Sequence, residues 1–224
     1  MRWWRDMDPG DVRERITDVN DGILAITGTG LGLAGAEVGA STSYAVLGIT
    51  ATAGTLSMFA VKLGEMMAER EAQQSAADHE RRNLDADPEA ELAELIAWFE
   101  RHGVQSATAR RVAEEMSDAD ALGAQLELEY GFGGVATFRE TVTAALWAGF
   151  AFFLGAFLPV LVTVLVPLQW RTEWTLLVAG CSLAATSLVL ARRGHSNVTM
   201  TVVRSLLIGL ATLAVTYLVG DWLI

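Results

Sequence analysis

The chain has 224 residues, 52% of them hydrophobic, and a formal net charge of −11. Its apolar residues come in long uninterrupted blocks, not at the spacing of amphipathic elements, which excludes an ordinary soluble globular fold. No nucleic acid is expected as a partner of so acidic a chain.

Residues 1–15 carry charges throughout and no apolar h-region, which argues against a cleaved signal peptide. The next apolar run, 23–36, is short and bounded by Asp21 and Glu37. Extended back to Ile16 it reaches spanning length and takes in Asp18 and Asp21. It is rich in glycine and has no polar face, so it reads as a first spanning helix that carries a functional acid. The uncharged block 38–61 supplies the second span, with a hairpin turn at about Gly39–Ser43. Gly28, Gly32, Gly35 and Gly39 stand four or three apart, a pattern that close helix packing explains.

The second span continues through Glu65, Met66, Met67 and Glu69 into a soluble helix predicted to end near Asp85. Asp87-Pro88 marks a restart, with Asp as N-cap and Pro at the first helical position. The helix from Glu89 to Arg101 has Leu92, Leu95, Ile96 and Phe99 on one face, and His102-Gly103 stops it. A further stretch from about Ser106 to Met116 is followed by Asp118 or Asp120 as a new cap, and the last helix reaches Tyr130-Gly131. The blocks 141–169, 175–191 and 196–220, the last interrupted by Arg204, give three more spans.

The fold class expected is therefore all-α: a polytopic membrane protein with five transmembrane helices and a cytoplasmic helical insert between helices 2 and 3. Its divisions are an N-terminal segment 1–15, spans in 16–67, an acidic insert 68–139, and spans in 140–222. Arginine sets the orientation. Arg2, Arg5, Arg13, Arg15, the arginines of the insert, Arg192 and Arg193 fall on one side, and Arg171 on the other. That places the N-terminus and the insert in the cytoplasm and the C-terminus outside, in a lipid bilayer expected to be a prokaryotic cell membrane. Trp170, Trp174 and Trp222 mark the outer interface and Trp3 and Trp4 the inner one. Cys181 lies within a span and has no second cysteine to pair with.

Asp21 is the most informative acid. It lies about five residues, roughly 7 Å, inside the inner end of its span, where an ionisable group needs a partner or a polar cavity. Met58 on the antiparallel second span comes to a similar depth, and a carboxylate with a thioether suits a borderline ion such as Fe2+. In the insert, Glu91 and Glu94 share a helix face, and Glu80 and Glu129 could complete a metal site. Enzyme signatures are missing: Ala76 and Phe99 stand where Glu-x-x-His pairs would need glutamate, and there is no phosphate-binding loop, cysteine-rich zinc site or catalytic triad. Neither an enzymatic activity nor a prosthetic group is expected.

The chain resembles the vacuolar iron transporter family. The matching elements are Asn20-Asp21-Gly22, Ala53-Gly54-Thr55-Leu56-Ser57-Met58, Gly155-Ala156-Phe157-Leu158-Pro159, and Arg204 with Thr216-Tyr217-Leu218-Val219-Gly220. The resemblance implies a homodimer of five-span subunits exporting Fe2+, and often Mn2+, from the cytosol in exchange for protons. It implies that Asp21 and Met58 line the path and that the insert binds metal through Glu80, Glu91, Glu94 and Glu129. This chain departs from the family pattern at Lys62, where a glutamate is usual, at Asn83, and at Gln125 and Leu126, which replace a methionine pair. Losing the soft pair favours Mn2+ or lower selectivity. If Lys62 lies beside a working path it must be turned away or paired, with Glu65 or Asp18 the expected partners. The alternative function is a membrane metal sensor or scaffold that does not transport.

Overall fold

The computed structural model describes residues 9–193 and 197–222, so Arg2, Arg5, Trp3, Trp4, His195 and Ile224 lie outside the described residues. The described residues form an all-helical protein: α1 (Pro9–Gly35), α2 (Ala40–Ala86), α3 (Pro88–Arg101), α4 (Ser106–Tyr130), α5 (Phe138–Leu165), a 3-10 turn (Leu168–Trp170), α6 (Arg171–Arg193) and α7 (Val198–Trp222). Four of these, α2, α5, α6 and α7, are long and apolar enough to cross a membrane. The expected fifth, α1, does not meet that measure, because Asp11, Arg13, Glu14, Arg15, Asp18 and Asp21 occupy its first half. It also starts at Pro9, well before Ile16, and the turn to α2 falls at 36–39 rather than at Gly39–Ser43.

The chain forms two compact units, one of Met1–Lys62 with Ala144–Ile224 and the other of Leu63–Thr143. In the first, α1 packs along α6 and α7. Ile23 and Leu31 meet Ala179, Leu183 and Leu213 on one side of it, while Ile26 meets Leu47, Phe152 and Ala156 on another. The helix least suited to lipid by composition is thus packed on two flanks against those that suit it best. Glycine makes this possible. A Cβ on Gly22 would overlap the carbonyl oxygen of Phe152, and one on Gly155 would overlap that of Val19, so α1 and α5 touch backbone to backbone. Gly32 and Gly220 bring α1 equally close to α7, and Gly28 and Gly35 face Thr216 and Tyr217. Gly39 lies in the turn and has no such role. Several threonine hydroxyls along these helices donate to carbonyls four residues back, as Thr55 does to Ala51 (2.8 Å) and Thr163 to Pro159 (2.9 Å), which satisfies them within their own helices.

In the second unit the local signals act as read. Asp87 caps α3, its Oδ1 accepting from the Ala90 amide at 3.0 Å, with Pro88 following. Gly103 leaves α3 with φ +87°, a conformation that favours glycine. Asp120 breaks α4 with non-helical dihedrals and its Oδ1 accepts from the Gly123 amide at 3.0 Å, so it, not Asp118, restarts the helix. Leu95, Ala113 and Ala124 form the core, covered by Leu92, Ile96, Phe99, Met116 and Leu128. The segment after Gly131 is tied back to α2: Gln73 accepts from the Ala136 amide (2.8 Å) and Arg70 Nε donates to its carbonyl (3.0 Å). Thr137 and Glu140 then form a reciprocal capping box that starts α5.

Candidate metal sites

The insert carries the more developed constellation. Glu80, near the end of α2, is wholly buried, with 0% of its surface exposed. Its Oε1 accepts from the Tyr130 hydroxyl at 3.4 Å, and its Oε2 finds no partner among the described residues. Glu91 on α3 also has an unpartnered buried Oε2. Burial, then the charges of Glu80 and Glu94, push the Glu91 carboxyl above its ordinary value; His79 opposes this. Burial again, then Glu80, Glu94 and Glu91, push Glu129 up. The four glutamates expected from sequence therefore act on one another electrostatically, as ligands gathered for a cation would. They are not a preformed cage: among the described residues, no three His, Cys, Asp or Glu groups stand in position to hold one ion as they are placed. Glu94 and Glu129 are exposed, whereas Glu80 is wholly buried.

Two polar residues in this cluster escaped the sequence reading as participants. Tyr130 touches Glu80, and the neighbouring carboxylates, after burial, raise its hydroxyl above the ordinary value. Gln125, read as the loss of a methionine, is buried, and its Nε2 donates to the Glu91 carbonyl at 2.7 Å. The spacing Gln125-x-x-x-Glu129, which puts both on one face of α4, was the available signal.

In the other unit, the three residues Asn20, Asp21 and Gly22 divide their tasks. Asn20 Oδ1 accepts from the Thr186 hydroxyl of α6 at 2.7 Å. Gly22 admits α5, and Asp21 between them is left exposed. Phe152 joins this region to α2, because a Cβ on Gly54 would lie 2.5 Å from its ring. Met58, one turn further along α2, packs against the cluster of Ile26, Leu47, Phe152 and Ala156. Met58 thus lies where α1, α2 and α5 meet, whereas Asp21 stands five residues before Ile26 on an exposed face of α1. Lys62, one turn beyond Met58, has a partner that the sequence did not single out: its ammonium pairs with Glu14 of α1.

At the opposite ends of α1 and α2, Arg171 donates through Nη2 to the Tyr44 hydroxyl at 2.8 Å and lies 5.1 Å over its ring. Beneath this pair is a cavity of about 70 Å³ lined by Gly30, Leu47, Ser43, Thr163 and Thr175.

A sequence model of the VIT family matches residues 12–221, and so takes in both regions. A vacuolar iron transporter of Acanthamoeba castellanii is 31% identical over 119 residues, which are 53% of this chain and 45% of that protein. The chain thus aligns with less than half the length of that relative.

Proposed function

The chain belongs to the VIT family, and from that premise we propose that this multi-pass membrane protein carries Fe2+ or Mn2+ out of the cytosol in exchange for protons. The observation that carries the reading is Glu80, a wholly buried carboxylate with an unpartnered oxygen among three other glutamates. An uncompensated charge of that kind is costly unless a cation completes it. The insert receives the ion, and Asp21 with Met58 passes it through the membrane. Carboxylate ligation needs the deprotonated form, so an ion arriving at Asp21 displaces a proton, which couples the two flows.

In this reading α1 is the fifth span, because it is packed lengthwise against α6 and α7 with Ile23, Thr27 and Leu31 buried. The arginine distribution then puts the N-terminus and the insert in the cytoplasm. The working unit is a homodimer in a prokaryotic cell membrane, and the exposed flank of α1 that holds Asp21 faces the second subunit across a hydrated path. Nothing in the scheme requires catalysis of a covalent step.

One observation favours a sensor or scaffold instead. Lys62 puts an ammonium one turn beyond Met58, where the family pattern has glutamate, although its pairing with Glu14 offsets that charge as a working path requires. Proteoliposome flux of Fe2+, Mn2+, Co2+ and Zn2+ under two opposed pH gradients separates the readings. Metal uptake that follows the pH gradient is expected; its absence for every ion, with insert binding intact, leaves the sensor.

A further inference from the structure

Arg204 interrupts α7, a helix long and apolar enough to cross a membrane. It stands six residues beyond the first residue of that helix, about 9 Å along its axis. The surface around it is apolar and open. Met200, Leu207 and Ile208, one turn to either side on the same face, are 69%, 65% and 60% exposed. Arg204 is itself exposed and makes no hydrogen bond or ion pair among the described residues. A charge on such a face is costly without a partner, so its side chain reaches for a group outside the chain. The same end of the α6–α7 pair carries Arg192 and Arg193 in the last turn of α6. The two helices pack together, and a Cβ on Gly209 would lie 2.6 Å from Leu183, which fixes their register. From that contact Arg204 is five residues nearer the connection along α7, and Arg192 nine residues nearer it along α6. Their levels thus differ by about 6 Å, a span that snorkelling arginines close. The acids of these two helices, Glu173 and Asp221, stand at the opposite end.

We propose that this end of α6 and α7 binds an anionic phospholipid: Arg204 and Arg192 hold the headgroup phosphate, and the acyl chains lie along Met200, Leu207 and Ile208. A guanidinium donates two parallel hydrogen bonds to a phosphate, and the apolar flank accepts the chains that come with it. A lipid of net negative charge is preferred, because a zwitterionic headgroup brings a cation of its own towards the arginines. A second copy of the chain fits this face less well. In the same membrane it would set its own arginines level with these, like charge against like.

The test is native mass spectrometry of the detergent-solubilised full chain with phosphatidylglycerol and phosphatidylcholine added at equal concentration. The parent should retain phosphatidylglycerol in preference. Arg204→Leu, which suits the apolar face, should lower that affinity about fivefold, the increment for one basic residue near an anionic lipid. Arg204→Lys keeps the charge and should keep most of the preference. Arg192→Gln should lower the affinity to a similar degree, and it carries the test should Arg204→Leu fail to fold. Arg101→Leu removes the same charge from an exposed position on α3 and should change nothing. Equal retention of the two lipids by the parent overturns the proposal, as does unchanged phosphatidylglycerol affinity in Arg204→Leu. An equal loss in Arg101→Leu also overturns it, by reporting net charge alone. Displacement of the lipid by inorganic phosphate makes this a site for free phosphate instead. A parent dimer that Arg204→Leu splits, with lipid retention unchanged, gives the face to a second copy.

Discussion

Lys62 and Glu14 form an ion pair that joins α2 to α1 one turn beyond Met58. The side chains are 15% and 46% exposed, so solvent screens the pair in part and its contribution to stability is on the order of 1 kcal/mol or less. Its effect on an approaching cation is the larger matter. Lys62→Glu is expected to raise proteoliposome metal flux several-fold, and the charge swap Lys62→Glu with Glu14→Lys to return it towards the parent. A rate unchanged by Lys62→Glu would show that the ammonium is remote from any path.

Asp21→Asn keeps size and polarity and removes the charge. Because Asp21 is exposed and its neighbours Asn20 and Gly22 hold the helix in place, folding should survive while flux drops to the liposome background. Met58→Leu keeps volume within the Phe152 cluster, so its stability cost should stay below about 1.5 kcal/mol. Its expected effect is a shift in the flux ratio away from softer ions. Parental flux in Asp21→Asn sinks the transport mechanism.

The raised carboxyls of Glu91 and Glu129 make a prediction about pH. A carboxyl raised in the folded state holds its proton more tightly there than in the unfolded chain. Its contribution to stability is therefore complete below the ordinary value of 4.5 and is lost as pH rises through the raised value. The melting temperature of the metal-free protein should fall as pH climbs from about 5 towards neutrality, less steeply in Glu91→Gln/Glu129→Gln. Added Mn2+ should flatten the slope, since the ion replaces the protons. A metal-free melting temperature that climbs over this range contradicts the electrostatic reading of the cluster.

Gly155→Ala should destabilise by at least 1–3 kcal/mol, roughly the cost of overpacking, because the new methyl meets the Val19 carbonyl rather than a yielding side chain. Gly180→Ala is the control: nothing lies within 4 Å of a Cβ there, so helix propensity should make it neutral or stabilising by up to about 1 kcal/mol. Thermal melts of the two variants in one detergent give the comparison.

Orientation is open to cysteine labelling. In a Cys181→Ser background, needed because Cys181 is itself exposed, an impermeant reagent on intact cells should label Trp222→Cys and spare Gln105→Cys. The reverse pattern inverts the topology.

The sequence held most of the local architecture, because helix boundaries depend on near neighbours. Asp87-Pro88, His102-Gly103 and Asp120 start, stop and break helices where the chain said they could. The capping box of Thr137 and Glu140 was equally legible and passed unnoticed. Glu14 as the partner of Lys62, and Gln125 as a donor to the Glu91 carbonyl, were hidden for a different reason. Each depends on which residues meet across two helices, and a single sequence does not specify that register. Hydropathy alone does not read α1 as a span, because its acids lower the hydropathy of a helix whose burial comes from its neighbours.

Glu14, Thr17, Asp21 and Ala25 form an exposed stripe along α1, while its other flanks press against α5 and α7 with no room for a methyl at Gly22 or Gly35. The two kinds of position should therefore behave oppositely in a randomised library. On the packed flanks, selection for expression alone would admit almost nothing but the smallest residues. On the stripe, sterics forbid nothing, and a polar or apolar replacement for Asp21 should accumulate freely in cells that need only a folded protein. Should the aspartate return whenever growth is made to depend on metal tolerance, that preference reports chemistry, because packing at this position has no vote.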